Sequence, residues 1–144
     1  MRKISYLCRR NKRKTMLPQF KQYLALKGIT PSTTDNEEQI MFFQDDLYYL
    51  FVYDKSDPNY FRLILPNIFK IETNRPVYEN LVNNLNQRFK VAKSYITEDG
   101  TIWTSAEQFV YSNEGADFLF ERCIVLLKLV TEHLRELIKD LNHD

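Results

Sequence analysis

The C-terminal part of the chain shows a pattern of apolar residues that is typical of one long helix. From Asp117 to Leu141 there is no Gly or Pro, and apolar residues recur at alternating steps of four and three. At helical rise this segment is about 37 Å long. The repeating residues are Ala116, Phe120, Cys123, Leu127, Val130, Leu134, Leu137 and Leu141. Further apolar residues widen the stripe, so a helix laid across a sheet is favoured over a free coiled coil.

Upstream, the pattern predicts a first helix and three strands. Thr15 can cap a helix that Gly28 ends. The strands are predicted over 40–43, 47–53 and 60–72. Seven apolar residues in a row over 47–53 indicate a central strand covered on both faces. Pro66 interrupts the third strand, which predicts a bulge or a position on the edge side, because proline has no amide for a ladder hydrogen bond.

A second helix and a hairpin complete the expected order. Asn74 and Pro76 mark the start of the helix, and Asp99-Gly100 lies between two segments rich in β-branched and aromatic residues. That pair is typical of a tight hairpin turn. The order helix, three strands, helix, two strands, helix predicts an α+β domain with an antiparallel sheet of about five strands.

The hairpin over 93–111 is semi-apolar on both faces. If Asp99-Gly100 is a two-residue loop, Ile96, Trp103, Phe109 and Tyr111 share one face, and Tyr95 and Ile102 share the other. One face can rest on helices, and the other needs cover from a partner subunit, a peptide or a further helix. Burial of Trp103 in the core is the alternative. Our candidates for protein binding are Tyr95, Ile96, Ile102, Trp103, Phe109 and Tyr111.

Charge is unevenly distributed along the chain. Residues 1–14 hold seven of the 20 Lys and Arg residues and no Asp or Glu, whereas thirteen basic residues face nineteen acidic ones from Thr15 onward. We therefore expect a disordered basic arm over 1–14 and a single acidic domain over 15–144. An acidic body disfavours nucleic-acid binding, so contact with nucleic acid or a membrane surface is expected only through residues 2–14.

Nothing in the residue spacing identifies a reaction, so we expect no enzymatic activity, no metal and no cofactor. His133 and His143 are ten residues apart on one predicted helix, too far to share an ion. The acidic pairs fall in predicted turns, and three glycines do not form a phosphate-binding loop. Two cysteines and no long apolar stretch predict a reducing, cytoplasmic compartment.

The segment from Leu17 to Leu141 resembles the YbjN-like family of bacterial domains, described as sensory transduction regulators. The resemblance is carried by LPNIF over 65–69, by the helix that runs into KVAKSYITEDG over 90–100, and by the apolar C-terminal helix. The resemblance implies a fold similar to type III secretion chaperones. It also implies a small domain that binds other proteins or pairs with itself, without a cofactor or an enzymatic activity.

These observations favour a non-enzymatic protein-binding module, chaperone-like or regulatory. We expect it to be a homodimer in which association covers the outward face of the hairpin. The alternative is a binder of nucleic acid or membrane surface that acts through the basic N-terminal arm.

Overall fold

The computed structural model describes residues 15–143, and the basic arm that we expect over 1–14 lies outside the described residues. The elements follow in the order α1 (Leu17–Leu26), β1 (Ser32–Thr33), β2 (Gln39–Gln44), β3 (Leu47–Asp54), β4 (Asp57–Lys70), α2 (Arg75–Arg88), β5 (Lys93–Ile96), β6 (Thr101–Phe109) and α3 (Ala116–Asn142). This confirms the α+β class. Within the described residues there are six strands, where the sequence predicted about five.

The strands form one antiparallel sheet in the order β1-β2-β3-β4-β6-β5. The additional strand is β1, whose Ser32 and Thr33 pair with Met41 and Ile40 of β2. The sequence pattern does not predict this strand, because two hydroxyl residues in a polar segment show no alternation of apolar side chains. The chain crosses from β4 through α2 to the edge strand β5, and β6 then pairs with β4.

Local signals determine both ends of α1. The predicted cap, Thr15, lies one residue before the observed N-cap, Met16, and its Oγ1 accepts a hydrogen bond from the Leu17 amide at 3.1 Å. At the other end the Ile29 amide donates to the Leu24 carbonyl at 2.9 Å, across Gly28 with a φ of +72°. This is a left-handed C-terminal cap that glycine adopts without strain. The predicted end of the helix at Gly28 is confirmed.

The bulge predicted at Pro66 is also present. The register between β4 and β6 shifts between Leu65 and Phe69. Asn67, the residue after the proline, has a φ of +54°. Pro66 thus lies where the ladder is interrupted, and its missing amide leaves no hydrogen bond unmade.

One face of the sheet packs against all three helices and forms the hydrophobic core. The Phe20 ring of α1 stacks on Phe51 of β3 with centroids 3.9 Å apart. The Phe120 ring of α3 meets Phe20 and Phe61 edge-on, each at 5.0 Å. At the β5 edge, α2 adds the buried side chains Tyr78, Val82 and Leu85 to the same core.

Strand β3 is covered on one face only, so the prediction of a strand buried on both faces is wrong. Tyr49, Phe51 and Tyr53 are buried on the helical side, whereas Tyr48 on the other side is exposed. An unbroken run of apolar residues looks the same in sequence whether one face is covered or two. Within the described residues, no helix is both long enough and apolar enough to cross a membrane.

Candidate functional site on the open face of the sheet

The face of the sheet that no described helix covers is largely apolar and aromatic, and we call it the open face. Strand alternation and the pairing register place its side chains together. They are Met41, Phe43, Tyr48, Leu50, Val52, Tyr60, Arg62, Ile64, Tyr95, Trp103, Ser105, Glu107 and Phe109. Ile64, at the centre, is buried but does not belong to the hydrophobic core on the helical side.

Aromatic rings line the two ends of the open face. Phe43 and Tyr48 are cross-strand partners at one end, with ring centroids 4.8 Å apart. Tyr60 and Phe109 pair in the same way at the other end, at 6.0 Å. Tyr48 and Phe109 are 59% and 58% exposed. Large rings that are half open to water form an apolar surface of the kind that proteins use for binding.

The hairpin register differs from the predicted one. The Thr97 amide donates to the Thr101 carbonyl at 2.9 Å, and the Gly100 amide donates to the Thr97 carbonyl at 3.0 Å. The loop therefore has three residues, Glu98 to Gly100, with Gly100 at a φ of +82°. A three-residue loop that ends in a left-handed glycine is the next common hairpin after the two-residue one. The additional loop residue shifts β5 by one position against β6.

This shift corrects the predicted grouping of the six candidate residues. Tyr95 pairs with Trp103, and Ile96 pairs with Ile102, rather than Ile96 with Trp103. Ile102 is fully buried on the helical side, and Ile96 packs against the core there, so neither belongs to the open face. Tyr95, Trp103 and Phe109 do belong to it.

Tyr111 lies just beyond the end of β6 and is 79% exposed. Its ring stacks with that of Phe109 at a centroid distance of 6.4 Å. The structure therefore brings four of the six candidates together, Tyr95, Trp103, Phe109 and Tyr111, and places two in the core.

Sequence reasoning missed the half of the open face that β2, β3 and β4 contribute. Phe43, Tyr48 and Tyr60 belong to this half. The available signal was the alternation within each strand. Alternate residues of a strand point to opposite faces of the sheet, so once one set is assigned to the core, the other set must face away from it. The sequence alone does not say whether a second layer of helices covers that other face.

An ion pair at the centre of the open face neutralises its two charges. Arg62 Nη2 lies 3.0 Å from Glu107 Oε2, and the two residues are cross-strand partners. Tyr60 Oη donates a further hydrogen bond to the same carboxylate at 2.7 Å. The hydrogen bond from Tyr60, assisted by Arg62, holds the pKa of Glu107 below its ordinary value. Glu107 is therefore ionised at neutral pH, and its charge is matched within the face.

Two further polar groups affect the character of the open face. Lys93 directs its Nζ to the carbonyls of Asn86 and Phe89 at the end of α2, both at 2.7 Å, and thus away from the open face. The Trp103 ring is partly buried, and its Nε1 is a buried atom with no hydrogen-bond partner among the described residues. A buried donor without a partner is unfavourable by about 1 to 3 kcal/mol. What Trp103 contributes to the open face is therefore its apolar ring.

The described residues show no cluster of three or more His, Cys, Asp or Glu side chains that could hold a metal ion. His133 packs its ring against Phe89 at 5.6 Å. A cavity of about 390 Å³ lies between α2 and α3, lined by Leu81, Leu85 and Leu137 with a polar rim. It contains none of the residues predicted for binding.

Together the fold and the open face define an α+β domain with its helices on one side of an antiparallel sheet. Neither a protein-family model nor a curated protein matches the chain. Among solved structures, the chain is similar to an uncharacterized protein from Methanothermobacter thermautotrophicus, with a TM-score of 0.55 and 11% sequence identity. The match covers 83% of this chain and 96% of that chain. At this identity the similarity shows a shared fold and no more.

Proposed function

We propose that this chain is a non-enzymatic protein-binding module, chaperone-like or regulatory, that works as a homodimer and takes its partner on the open face. The observation that carries the proposal is the exposed apolar surface that runs from Phe43 and Tyr48 at one end of the open face to Phe109 at the other. Soluble proteins rarely leave such a surface without a partner. The matched charges of Arg62 and Glu107 allow an apolar partner to approach without leaving a charge unpaired.

The partner that best suits the open face is an amphipathic helix of another protein. From β2 to β5 the sheet has four interstrand spacings, about 19 Å in all. A helix with its side chains is about 10 Å in diameter, so one helix would fit within this width. In α+β domains the chain's own helices cover one face of an antiparallel sheet, and here a helix of the partner would cover the other face.

The YbjN-like resemblance is part of this proposal, as is the fold similar to type III secretion chaperones. Apart from the two-residue strand β1, the chain follows the order helix, three strands, helix, two strands, helix, which the resemblance also implies. A binding surface on an antiparallel sheet agrees with a chaperone-like or regulatory role. The proposed role still rests on the open face, because a fold alone does not define a function.

Site-specific photo-crosslinking in the native cell tests the proposed surface. A benzophenone amino acid is placed at Phe43, at Phe109 or, as a control, at Asn83 on the exposed side of α2. We expect the two open-face positions to capture the same protein and Asn83 not to capture it. Trp103→Glu, combined with the crosslinker at Phe109, should abolish the capture.

Trp103 is the only tryptophan of the chain, so its fluorescence reports occupation of the open face directly. An amphipathic helix from the captured protein should move the emission to shorter wavelength on titration, because the helix excludes water from the indole. Equal capture from Asn83, or an emission that does not respond to a bound partner, would contradict the assignment of the open face.

The alternative proposal is binding to nucleic acid or a membrane surface through the basic residues 2–14. It is supported by the seven basic residues of this segment, which lies outside the described residues. Deletion of residues 1–14 should then remove retention on anionic vesicles or on nucleic acid while capture at Phe109 persists. Loss of the capture as well would show that the two proposals are not independent.

A further inference from the structure

Helix α3 carries a second stripe, of three apolar and two charged residues, on its solvent side, which we call the outer stripe. It consists of Phe118, Arg122, Val125, Leu129 and Glu132, spaced four, three, four and three residues apart. Phe118, Val125 and Leu129 are 64%, 55% and 50% exposed. Each lies two positions from a buried residue, which at about 100° per residue is nearly the opposite side of the helix.

No described element covers the outer stripe. Helix α1 contacts the flank of α3, where Tyr23 and Lys27 both bond to Glu121. Beside the stripe lies a shallow hollow of about 280 Å³, lined by residues that include Phe118, Arg122 and Val125. The hollow could receive a side chain from a helix laid against the stripe.

The two charged residues of the outer stripe, Arg122 and Glu132, have opposite charges but are too far apart on one helix to form an ion pair. Among the described residues neither Arg122 nor Glu132 has an ion-pair partner. They are ten residues apart, which is about 15 Å along the helix axis. Arg122 precedes Leu127 by five residues, and Glu132 follows Leu127 by five. The two charges are therefore symmetric about one level of the helix.

We propose that two copies of this chain pair through the outer stripe, with the two α3 helices antiparallel about a two-fold axis level with Leu127. In this arrangement Arg122 of each copy lies opposite the partner's Glu132, and Val125 lies opposite the partner's Leu129. Two ion pairs then flank four apolar side chains. Such an interface is isologous, as in most homodimers.

The same charges disfavour other pairings. A parallel pair would place Arg122 against its own copy, and like charges in contact are destabilising. An antiparallel register centred on Val125 would place Arg122 against Lys128. Of these three arrangements, only the antiparallel one level with Leu127 pairs Arg122 with Glu132, so the charges favour it, as a polar residue within the seam specifies register in coiled coils.

This inference deepens the proposed function, because it assigns the homodimer and the partner to different surfaces. Helix α3 lies on the helical side of the sheet, so pairing through its outer side leaves both open faces free. The dimer would present two open faces to partners and could bind two helices at once. From the sequence we expected association to cover the hairpin, whereas the unpaired charges of α3 favour the outer stripe.

The outer stripe from Phe118 to Glu132 is about 21 Å long, and a contact of this length belongs to the small class of interfaces, for which weak association is expected. Sedimentation velocity of the full chain at concentrations from about 10 to about 500 μM covers the dissociation constants expected for weak association. We expect Arg122→Glu and Glu132→Arg each to raise the dimer dissociation constant about tenfold or more, since two attractions become two repulsions. Circular dichroism should show that both variants remain folded, because both positions are exposed.

Mixing the two variants provides the decisive measurement. Arg122→Glu supplies two acidic positions and Glu132→Arg supplies two basic ones, so the mixture should form heterodimers at concentrations at which each variant alone associates less than the wild type. Arg135→Glu changes the same kind of charge on the same helix outside the stripe and should leave the dimer intact. Trp103 emission should stay constant as the wild-type dimer forms, because this interface does not include the open face.

Three results would overturn the inference: a wild-type chain that is monomeric throughout, a dimer that neither charge reversal weakens, or variants that do not associate when mixed. A shift of Trp103 emission to shorter wavelength with dimerisation would overturn it too, since it would place the second copy on the open face. Capture of a partner at Phe109 is measured separately, so failure of the dimer and failure of the partner site can be told apart.

Discussion

Ile102 and Trp103 are adjacent on β6 and point to opposite sides of the sheet, so a charge at each position tests the assignment of the two faces. Ile102 is fully buried against the helices, and Trp103 lies partly buried on the open face. We expect Ile102→Asp to abolish folding. Trp103→Asp should give a folded protein with lower stability.

The expected magnitudes follow from burial. Loss of a buried branched side chain is unfavourable by about 2 to 5 kcal/mol, and an unpaired carboxylate in the core adds several more. This total is comparable with the whole stability of a small domain, about 5 to 15 kcal/mol. At position 103 the change removes a partly buried ring and its contact with Tyr95, a loss of about 2 kcal/mol. No hydrogen bond is lost, because Nε1 has no partner among the described residues.

Urea unfolding followed by far-ultraviolet circular dichroism measures both variants without relying on the tryptophan. Trp103→Asp should unfold cooperatively at a lower urea concentration than the wild type. Ile102→Asp should show no transition or should be insoluble. Tyr111→Asp is the control, because this residue is beyond β6 and highly exposed. Equal effects at 102 and 103, or the reverse order, would show that the faces of the hairpin have been assigned incorrectly.

The remaining predictions concern single side chains. The buried Tyr49 hydroxyl has no partner among the described residues, so Tyr49→Phe should leave the free energy of unfolding unchanged or higher. Tyr53→Phe should lower it by about 1 kcal/mol, because Tyr53 Oη bonds to a backbone carbonyl; equal losses would contradict this contrast. The hydrogen bond from Tyr60 lowers the folded-state pKa of Glu107, so this residue stabilises the fold above its unfolded pKa. That contribution is lost as pH falls through the lower folded pKa, and acid should destabilise the wild type more than Glu107→Gln in urea unfolding at each pH. Burial raises the pKa of the Cys123 thiol to about 11, so iodoacetamide at about pH 8 should leave the Cys123 peptide unmodified in the native protein, as measured by mass spectrometry.

Several elements could be predicted from the sequence because their signals are local. The last helix was predicted over 117–141 and is observed as Ala116–Asn142. A stripe of apolar residues without Gly or Pro has few alternatives to a helix. The bulge near Pro66 was predictable for a similar reason, since proline cannot donate to the ladder wherever the strand lies.

The hairpin register could not be predicted because its turn signal is ambiguous. Asp99-Gly100 suits a two-residue loop with both residues left-handed, but it equally suits a three-residue loop in which only Gly100 is left-handed. The two loops differ by one position, and a one-position shift exchanges the faces of every residue on β5. Tyr95 and Ile96 were therefore assigned to the wrong partners, although each was correctly placed in a strand.

The existence of the open face follows from the dimensions of the fold rather than from any single residue. Six strands give five interstrand spacings, or about 24 Å across the sheet. Helices about 10 Å across cover this width when two or three lie side by side, and the three described helices contribute to one core on one face. No described helix is left for the second face.

The chain has nineteen Phe and Tyr residues, and rings that the single core does not bury, such as those of Phe43, Tyr48 and Phe109, lie on the open face. A sequence shows how many aromatic rings there are and which of them share one face of a strand. The number of helical layers, however, depends on where the crossover helix α2 packs. Because α2 packs beside α3 and not on the opposite face of the sheet, the aromatic rings that the core does not bury form an exposed surface. Another protein can cover this surface.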